Sequence, residues 1–408
     1  MKNLPTLDCT GCSACVGRCP KKCISMVTNA EGFLYPKVDE DLCIHCGLCE
    51  KVCPVLDSRG NRTPLQIYVG YNTDRGIVSQ SSSGAVFTLL AEQVIDEGGV
   101  VFGARFNDKN TVIHDFIEKK EDLSLFRGSK YVQSRIGNTF REAEEFLKSG
   151  RIVLFSGTPC QIAGLKKFLV KPYENLLTVD FICHGVPSPG VWEKYLKETI
   201  VALVCDKNSV SSHSILDKDT LIKSISFRDK GLGWKKYSFV LSLSTTDGSG
   251  VENTVLFSEP LDKNYFLKGF LADLYLRPSC HHCRVKSWKS GSDITIADAW
   301  GIGDLYPEFD DDKGVSLVIL LTTKGNQYFD EIRSKRLVNV RSVDEEFVRY
   351  HNSAAFISAK PHKKRHKFFR YIQKGIKFKT AIDRCLPPPT YWDKIVWSIN
   401  KRIKRYVK

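Results

Sequence analysis

The stretch CTGCSACVGRCP, residues 9–20, and its repeat CIHCGLCEKVCP, residues 43–54, contain eight of the fifteen cysteines of the chain. Both follow one spacing, Cys-x2-Cys-x2-Cys-x3-Cys-Pro. Thiolates two residues apart on a tightly turning backbone reach three corners of one iron–sulfur cube, while the fourth cysteine, followed by proline, is carried toward the neighbouring cluster. The sequence therefore predicts two interleaved [4Fe-4S] clusters and a function in electron transfer.

The fourth cysteine of each motif is assigned to the cluster of the other motif. The two predicted ligand sets are Cys9, Cys12, Cys15 and Cys53, and Cys43, Cys46, Cys49 and Cys19. A structural zinc site is the alternative, because paired Cys-x2-Cys units also bind zinc. The doubled third and fourth cysteines and the prolines that follow them favour iron–sulfur clusters.

Length and composition bound the remaining possibilities. At 408 residues and 46.1 kDa the chain is too large for one ordinary core, so two or three domains are expected. The N-terminus, MKNLPTLDCTGCSAC, has no apolar segment typical of a secretory signal, and we expect a reducing, cytoplasmic location. The strongest apolar run, Val315 to Leu321, suits a buried strand rather than a membrane span.

The positive charge is concentrated at the C-terminus. Residues 360–408 contain sixteen Lys and Arg against two Asp, a net charge of +14 that equals that of the whole chain. Apolar residues recur there at helical spacing, namely Trp392, Ile395, Val396, Ile399 and Ile403. Two interpretations remain open: an interfacial helix that docks on anionic lipid or an acidic partner, and a helix that packs on its own domain. The tail has no recognisable nucleic-acid-binding motif, so no nucleic-acid partner is expected.

Between the cysteine motifs and the tail, strand and helix patterns alternate. DSRGNRTP, residues 57–64, is a polar linker, and SSSGAVFTLLAEQVIDEGG, residues 81–99, predicts a helix with serine caps and a glycine stop. Buried strands at 151–156 and 176–183 enclose a helix at about 161–169, which predicts a parallel unit.

Alternating segments from Ile225 to Phe257 predict antiparallel hairpins inserted into this domain. The predicted fold is a small bacterial-ferredoxin-like N-terminal domain, residues 1–56, followed by a mixed-sheet α/β domain with an antiparallel hairpin insertion. A helical basic tail, residues 341–408, completes the predicted chain.

Four further cysteines do not resemble inert core thiols. Cys160 and Cys183 end two successive strands, and such ends gather at the ligand-binding edge of an α/β sheet. Cys280 and Cys283 form a Cys-x2-Cys pair in RPSCHHCR. Together the four thiols suffice for a third cube or for a zinc ion.

The remaining cysteines have simpler interpretations. Cys205 and Cys385 suit buried free thiols, while Cys23 is ambiguous because it lies close to the predicted ligand Cys19. Cys183 and His184 could also serve as a nucleophile and its base, but adjacent residues do not automatically face each other, so this interpretation has less support.

Several separate motifs resemble the family of coenzyme F420 hydrogenase/dehydrogenase beta subunits, over roughly residues 1–340. They are SSSGAVFTLL (81–90), GSKYVQS (128–134), FSGTPCQIAGLKKFL (155–169), FICHGVPSP (181–189), SFRDKGLGWKKY (226–237) and CHHCRVKSWKSGSDITIADAWG (280–301). The resemblance implies a flavin-associated region at 65–150 and a C-terminal α/β region at 151–340. It further implies a bound FAD that exchanges hydride with a substrate, and a third [4Fe-4S] cluster held close to it by the four cysteines.

The residues alone support a flavin site less strongly than the clusters. No GxGxxG opens a helix after a strand, but Ser81 to Gly84 at a predicted helix start offers backbone donors for a pyrophosphate. Lys130, Arg228 and Lys230 add positive charge, and Trp234 and Trp300 are core residues or flank a planar ring. With the resemblance, the predicted flavin or substrate contacts are Ser82, Ser83, Gly84, Ser129, Lys130 and Tyr131.

The favoured function is an iron–sulfur flavoprotein oxidoreductase that acts on an organic substrate, a deazaflavin or another compound. Its redox chemistry belongs to the cofactors, and the protein sets distance and potential. The alternative is an electron-transfer subunit that serves a partner enzyme, for example in envelope or polysaccharide biosynthesis. The sequence leaves the substrate, the electron donor and the direction of electron flow undetermined.

Overall fold

The structure is a computed structural model that describes residues 6–56, 62–205, 220–246 and 252–387. The N-terminal module contains two short helices and a two-stranded antiparallel sheet. Its elements are α1 (Ala14–Arg18), β1 (Ile24–Thr28), β2 (Leu34–Val38) and α2 (Leu48–Lys51). The predicted bacterial-ferredoxin-like N-terminal module is confirmed.

The rest of the described residues form two further sheets and their helices. The first elements are β3 (Gln66–Asn72), α3 (Arg75–Ser79), α4 (Val86–Asp96), β4 (Val100–Phe106), β5 (Val112–Ile117), α5 (Thr139–Lys148), β6 (Val153–Gly157), α6 (Pro159–Leu169), β7 (Leu176–Phe181) and α7 (Pro189–Cys205). They are followed by β8 (Thr220–Asp229), β9 (Ser238–Thr246), β10 (Glu252–Pro260), α8 (Tyr265–Leu271), β11 (Ile294–Asp298), α9 (Ile302–Leu305), β12 (Ser316–Leu320), α10 (Thr323–Ser334), β13 (Val338–Ser342), α11 (Glu345–His351), α12 (Arg365–Gln373) and α13 (Phe378–Cys385).

The large sheet is mixed and has the order β13-β3-β12-β11-β7-β6-β4-β5. Its central strands β4, β6, β7 and β11 are parallel to one another, and the outer strands pair antiparallel. Helices α4 and α10 cover one face, and α5 and α6 cover the other. Because both faces are covered, the central strands are nearly continuous apolar runs, as parallel strands require. The predicted mixed-sheet α/β domain is confirmed.

The hairpin insertion is also confirmed. Strands β8, β9 and β10 form a separate antiparallel sheet, which packs on α7, α8 and α13. Trp192 of α7 lies against Phe227 and Phe239 of the sheet and Phe266 of α8, with ring centroids 5.0–6.2 Å apart.

The predicted serine caps at residues 81–83 are wrong. Helix α4 begins at Val86, and its cap residue is Ala85, which has a φ of 63° and makes no side-chain capping bond. The serine hydroxyls bind elsewhere: Ser83 donates to the carbonyl of Val315, which lies beside β12. Long-range partners therefore replaced the local capping that the sequence pattern predicted.

The N-terminal module packs closely on the α/β domain. Glycines at the contact allow the approach: a Cβ on Gly164 of α6 would lie 2.9 Å from the Cβ and Sγ atoms of Cys12. A Cβ on Gly17 of α1 would lie 2.9 Å from the Phe168 ring of α6. Arg18 also pairs with Glu144 of α5 at 3.1 Å. The first cysteine motif is therefore in direct contact with the helix that begins near Cys160.

The described part of the basic tail packs on the rest of the molecule. Arg365 of α12 makes a bidentate ion pair with Glu31 of the N-terminal module, at 2.6 and 2.7 Å. Phe378 and Ile382 of α13 are buried in the core formed by α7, α8 and the hairpin sheet. The apolar series from Trp392 to Ile403 lies outside the described residues, so both interpretations of that segment stay open. Within the described ranges, no helix is long and apolar enough to cross a membrane.

Candidate iron–sulfur and flavin site

Four cysteines from distant parts of the α/β domain line one cavity. Cys160 lies in the first turn of α6, Cys183 follows β7 by two residues, and Cys280 and Cys283 lie in and just after a short 3-10 helix at 278–282. The first turn of α6 is well specified, because Thr158 and Gln161 form a capping box and Pro159 occupies the first helical position. The structure thus brings together the four thiols that the sequence singled out.

Burial is the main influence on the ionisation of Cys160 and Cys280. It raises the pKa of Cys160 to about 11 and that of Cys280 to about 12, and nearby thiols contribute a smaller part of each increase. Thr158 lies 3.1 Å from the sulfur of Cys160, and the amide of Val186 donates to the sulfur of Cys280 at 3.4 Å. A raised pKa disfavours the thiolate form, and a bound metal centre would supply the charge that stabilises it. The donor set is therefore suited to a thiolate-bound metal centre.

The first N-terminal set is buried and lies next to α6. Burial raises the pKa of Cys12 well above its usual range, and the neighbouring thiols of Cys15, Cys9 and Cys53 raise it further. Cys53, from the second motif, thus lies among the first three cysteines of the first motif. This arrangement agrees with the interleaved ligand set, whose binding of iron stays a prediction.

The second N-terminal set surrounds a cavity of about 360 Å³ near the surface. The cavity is lined by Cys19, Cys43, Cys46 and Cys49 and also by Cys23. Cys23 is buried with its sulfur 3.3 Å from that of Cys19, and Cys46 is exposed. This cavity therefore has five thiols, one more than a single cube needs.

The three thiol sets lie in the order exposed N-terminal set, buried N-terminal set and four-cysteine set. Cys49 lies close enough to Cys15 and Cys53 to raise the pKa of each, although burial is the larger cause. On its other side the buried set meets α6 through Cys12, and α6 begins near Cys160. The buried set therefore lies between the exposed set and the four cysteines of the α/β domain.

Several of the predicted flavin residues lie together at the start of α4. Ser82 accepts hydrogen bonds from the amide and the hydroxyl of Ser129, at 2.6 and 2.8 Å. Ser83 and Gly84 instead bind the β12 region, since the amide of Gly84 donates to Ser316 at 3.0 Å. Tyr131 packs on Phe270 with ring centroids 4.7 Å apart. The flavin role of these residues stays a prediction.

The two lysines near this group have no free donor. The ammonium of Lys130 donates to the carbonyls of Leu125, Arg127 and Gly128, and that of Lys230 donates to the carbonyls of Val78, Ser83 and Lys313. An ammonium has only three N–H groups, so these contacts use all of them. Burial lowers the pKa of Lys130 to about 7 and that of Lys230 to about 8. Both lysines therefore hold loops together in this conformation.

Arg228 differs from both lysines. It is 6% exposed, and its Nη1 donates to Asp298 at 2.5 Å, while its buried Nε and Nη2 have no partner among the described residues. Its guanidinium lies over the rings of Tyr237 and Trp300, at 4.6 and 5.5 Å. Unpaired buried donors of a charged group are costly, so this guanidinium is suited to an anionic ligand.

The two tryptophans of the predicted site contact each other. Trp234 and Trp300 stack with centroids 4.8 Å apart and planes 8° apart. The indole N–H of Trp234 donates to Asp298 at 3.0 Å, so Asp298 connects this pair to Arg228. Asp298 ends β11, at the edge of the parallel strands where the four cysteines also lie.

Two family models match the chain. Residues 8–56 match the 4Fe-4S dicluster domain, and residues 150–346 match the C terminus of the coenzyme F420 hydrogenase/dehydrogenase beta subunit. Residues 150–346 therefore belong to the family of coenzyme F420 hydrogenase/dehydrogenase beta subunits. An iron–sulfur function in electron transfer is thereby confirmed, whereas the number of clusters and a bound FAD stay predictions.

Curated relatives match only part of the length of this chain. The F subunit of F(420)H(2) dehydrogenase from Methanosarcina mazei is 22% identical over 236 residues, which are 54% of this chain and 67% of the relative. Coenzyme F420-dependent sulfite reductase of Methanocaldococcus jannaschii is 25% identical over 186 residues, which are 44% of this chain and 28% of that protein. The chain thus spans about two thirds of the first relative and less than a third of the second.

A solved structure is also similar to this chain. A chain of the F420-reducing [NiFe] hydrogenase complex from Methanosarcina barkeri aligns with a TM-score of 0.43 at 18% identity. The alignment covers 80% of this chain and 93% of that chain.

The sequence did not predict two residues of the site, Asp298 and Arg277. Asp298 contacts both Arg228 and Trp234, yet a single aspartate at a strand end carries no local signal of that role. Arg277, three residues before Cys280, is fully buried and lines the cavity of the four cysteines. Its position three residues before the Cys-x2-Cys motif was the sequence signal that could have identified it.

Proposed function

We propose that this chain is an iron–sulfur flavoprotein oxidoreductase that transfers electrons between [4Fe-4S] clusters and a flavin at Arg228. FAD is the proposed flavin, and an organic substrate of the deazaflavin type is its proposed hydride partner. When bound, clusters supply one-electron transfer and a flavin supplies two-electron chemistry. The proposal depends chiefly on one observation: four thiols from separate segments line one cavity beside the dicluster domain.

The thiol sets have distinct roles in this proposal. The exposed and the buried N-terminal sets each hold one cluster, with the assignment given by the interleaved motifs. The third cluster is held by Cys160, Cys183, Cys280 and Cys283. The packing of Cys12 on α6 keeps the buried N-terminal site adjacent to the four-cysteine site, which supports electron transfer between them.

Arg228 is the proposed anchor of the flavin. Its two unpartnered nitrogens offer N–H donors in a largely buried place, where attraction to an anionic group is stronger than in water. Asp298 and the rings of Tyr237 and Trp300 keep the guanidinium in position. Ser82, Ser129 and Tyr131 complete the proposed surroundings of the flavin.

The deazaflavin is proposed as substrate because both curated relatives carry F420 in their names. A second role, delivery of electrons to a partner protein, is favoured by the surface of the second motif. Leu42 and Ile44 are 57% and 56% exposed beside the exposed Cys46. Exposed apolar residues next to an exposed cluster site are suited to transient docking of a redox partner. We propose a cytoplasmic location for both roles.

The first experiment measures iron, acid-labile sulfide and flavin in protein purified anaerobically. The proposal expects about twelve irons, for three four-iron cubes, and about one flavin per chain. About eight irons without flavin would contradict it and would favour the electron-delivery role. Zinc in place of iron at the four cysteines would contradict the third cluster alone.

The second experiment tests the flavin anchor with Arg228→Met. The matched control is Lys236→Met, which removes a positive charge from the same motif at an exposed position. We expect Arg228→Met to lose flavin while it retains its iron, and Lys236→Met to retain both. Titration with FAD and with coenzyme F420 then identifies which ring system the wild-type site binds. Full flavin occupancy in Arg228→Met would exclude this anchor.

A further inference from the structure

Arg277 is a fully buried guanidinium that connects the N-terminal module to the cavity of the four cysteines. Its Nε donates to the carbonyl of Cys9 at 2.7 Å, and its Nη2 donates to the carbonyl of Leu34 at 2.9 Å. Its Nη1 donates to the side-chain oxygen of Gln133 at 2.9 Å. The side chain therefore contacts the first cysteine motif directly while it lines the third thiol set.

The contacts of Arg277 leave its charge uncompensated. All three acceptors are neutral oxygens, and no carboxylate among the described residues forms an ion pair with it. Its guanidinium lies over the rings of Tyr35 and Phe33, at 4.2 and 5.4 Å. A buried charge without an opposite charge is strongly unfavourable, so this position requires a source of negative charge.

The two adjacent thiol sets are that source. A [4Fe-4S] cube bound by four thiolates carries a net negative charge, and Arg277 has one such predicted site on each side. On one side, Arg277 lines the cavity of the four cysteines together with Cys160 and Cys280. On the other side, a Cβ on Gly11 would lie 2.9 Å from its Nη1, so the cysteine loop closes directly over the guanidinium.

The surroundings hold Arg277 in one place. Gln133 accepts from it and also donates to the carbonyl of Thr10 at 2.9 Å, and Thr10 lines the four-cysteine cavity. The guanidinium, the amide of Gln133 and the loop of the first motif thus form one hydrogen-bonded unit. A planar group with several fixed donors suits this geometry better than an ammonium does.

We propose that Arg277 is the positioning residue that couples the buried N-terminal cluster site to the four-cysteine site, by compensating the negative charge of both and fixing their separation. This inference rests on the proposed function. A fixed cation stabilises the more negative, reduced form of a cluster, so Arg277 raises the reduction potential at both sites. The exposed set around Cys46 lies away from it and is unaffected.

The test is a redox titration of the full-length protein followed by electron paramagnetic resonance. Arg277→Gln removes the charge, and Arg277→Lys keeps it without the planar fork. The control is Arg284→Gln, because Arg284 lies in the same segment but is exposed and pairs with Asp8 at 3.1 Å. Iron content of the wild type, measured first, separates failure of this inference from failure of the proposed function.

We expect Arg277→Gln to lower two of the three potentials, with about a tenfold change in the ratio of oxidised to reduced cluster at fixed potential, or 59 mV for a one-electron couple. Arg277→Lys and Arg284→Gln are expected to stay near the wild type. Three unchanged potentials in an iron-replete Arg277→Gln would overturn the inference. If Arg277→Gln does not retain its iron, the inference is tested by the redox titration of Arg277→Lys. Cluster potentials near those of the wild type would support the charge role of Arg277, and lowered potentials would refute it.

Discussion

The N-terminal thiol sets and the four-cysteine set offer the same donor atoms but are assembled in different ways. The eight N-terminal cysteines lie within residues 9–53 on turns and on helices of five and four residues. The four cysteines of the α/β domain span residues 160–283 and are placed by strands and helices of a large core. We expect the first arrangement to depend on bound metal for its shape and the second to depend on the sheet.

The N-terminal module and the α/β domain are expected to differ in how far their stability depends on bound clusters. Helices as short as α1 and α2 are not stable on their own, and the core beneath the second cavity consists of Cys19, Cys23 and Ile24. We therefore expect bound clusters to contribute a large part of the folding free energy of this module. The sheet, in contrast, buries apolar residues on both faces whether or not a cluster is bound.

The largest expected effect follows removal of iron by an anaerobic chelator. We expect residues 6–56 to lose their protection from amide hydrogen exchange, while the amides of β4, β6, β7 and β11 stay protected. Hydrogen-exchange mass spectrometry measures both regions in one sample, and reconstitution with iron and sulfide serves as the control. If the N-terminal module stays protected without iron, the comparison between the two regions is wrong.

Single cysteine substitutions sharpen the same comparison. Cys12→Ser and Cys160→Ser are each expected to lose about four irons, because each removes one ligand of one cube. Only Cys12→Ser is expected to expose the N-terminal module to limited proteolysis. Iron analysis and peptide mapping check the two outcomes. Retention of all iron in Cys160→Ser would remove Cys160 from the ligand set.

A smaller effect is expected at the contact between the two regions. Gly164→Ala places a methyl group against Cys12, and we expect a loss of about 1–3 kcal/mol in the free energy of unfolding, as is typical of overpacking. At an unhindered site the same change stabilises a protein by about 0.4–1 kcal/mol. Denaturant unfolding measures the change in the free energy of unfolding. A decrease supports the close approach of Gly164 to Cys12, and an increase contradicts it.

The smallest effect is expected at Cys385, a buried thiol of α13 away from the three sets. Cys385→Ala is expected to cost about 1 kcal/mol, the usual size of a single substitution, and to leave iron content unchanged. Iron analysis and thermal unfolding of the same preparation check both parts. A loss of iron here would mean that the number of thiols, rather than their placement, governs cluster binding.

Much of the fold was predictable because its signals are local. The strand and helix around Cys160 and the antiparallel insertion follow from apolar runs and turn residues. The serine run was misinterpreted because Ser83 and Gly84 bind residues 232 positions away, which no local pattern reports. For the same reason the sequence did not distinguish Arg228, with unpaired donors, from Lys130 and Lys230, whose donors are occupied.

The sequence by itself determined the cysteine motifs, and with them the iron–sulfur chemistry, because ligand spacing of two and three residues is a local property of the backbone. Only the tertiary structure decided that Cys160, Cys183, Cys280 and Cys283 share one cavity. It alone also placed the uncompensated charge of Arg277 between two thiol sets. These relations join separate segments, up to 268 positions apart for Arg277 and Cys9, and strand order and packing, rather than spacing along the chain, bring them together.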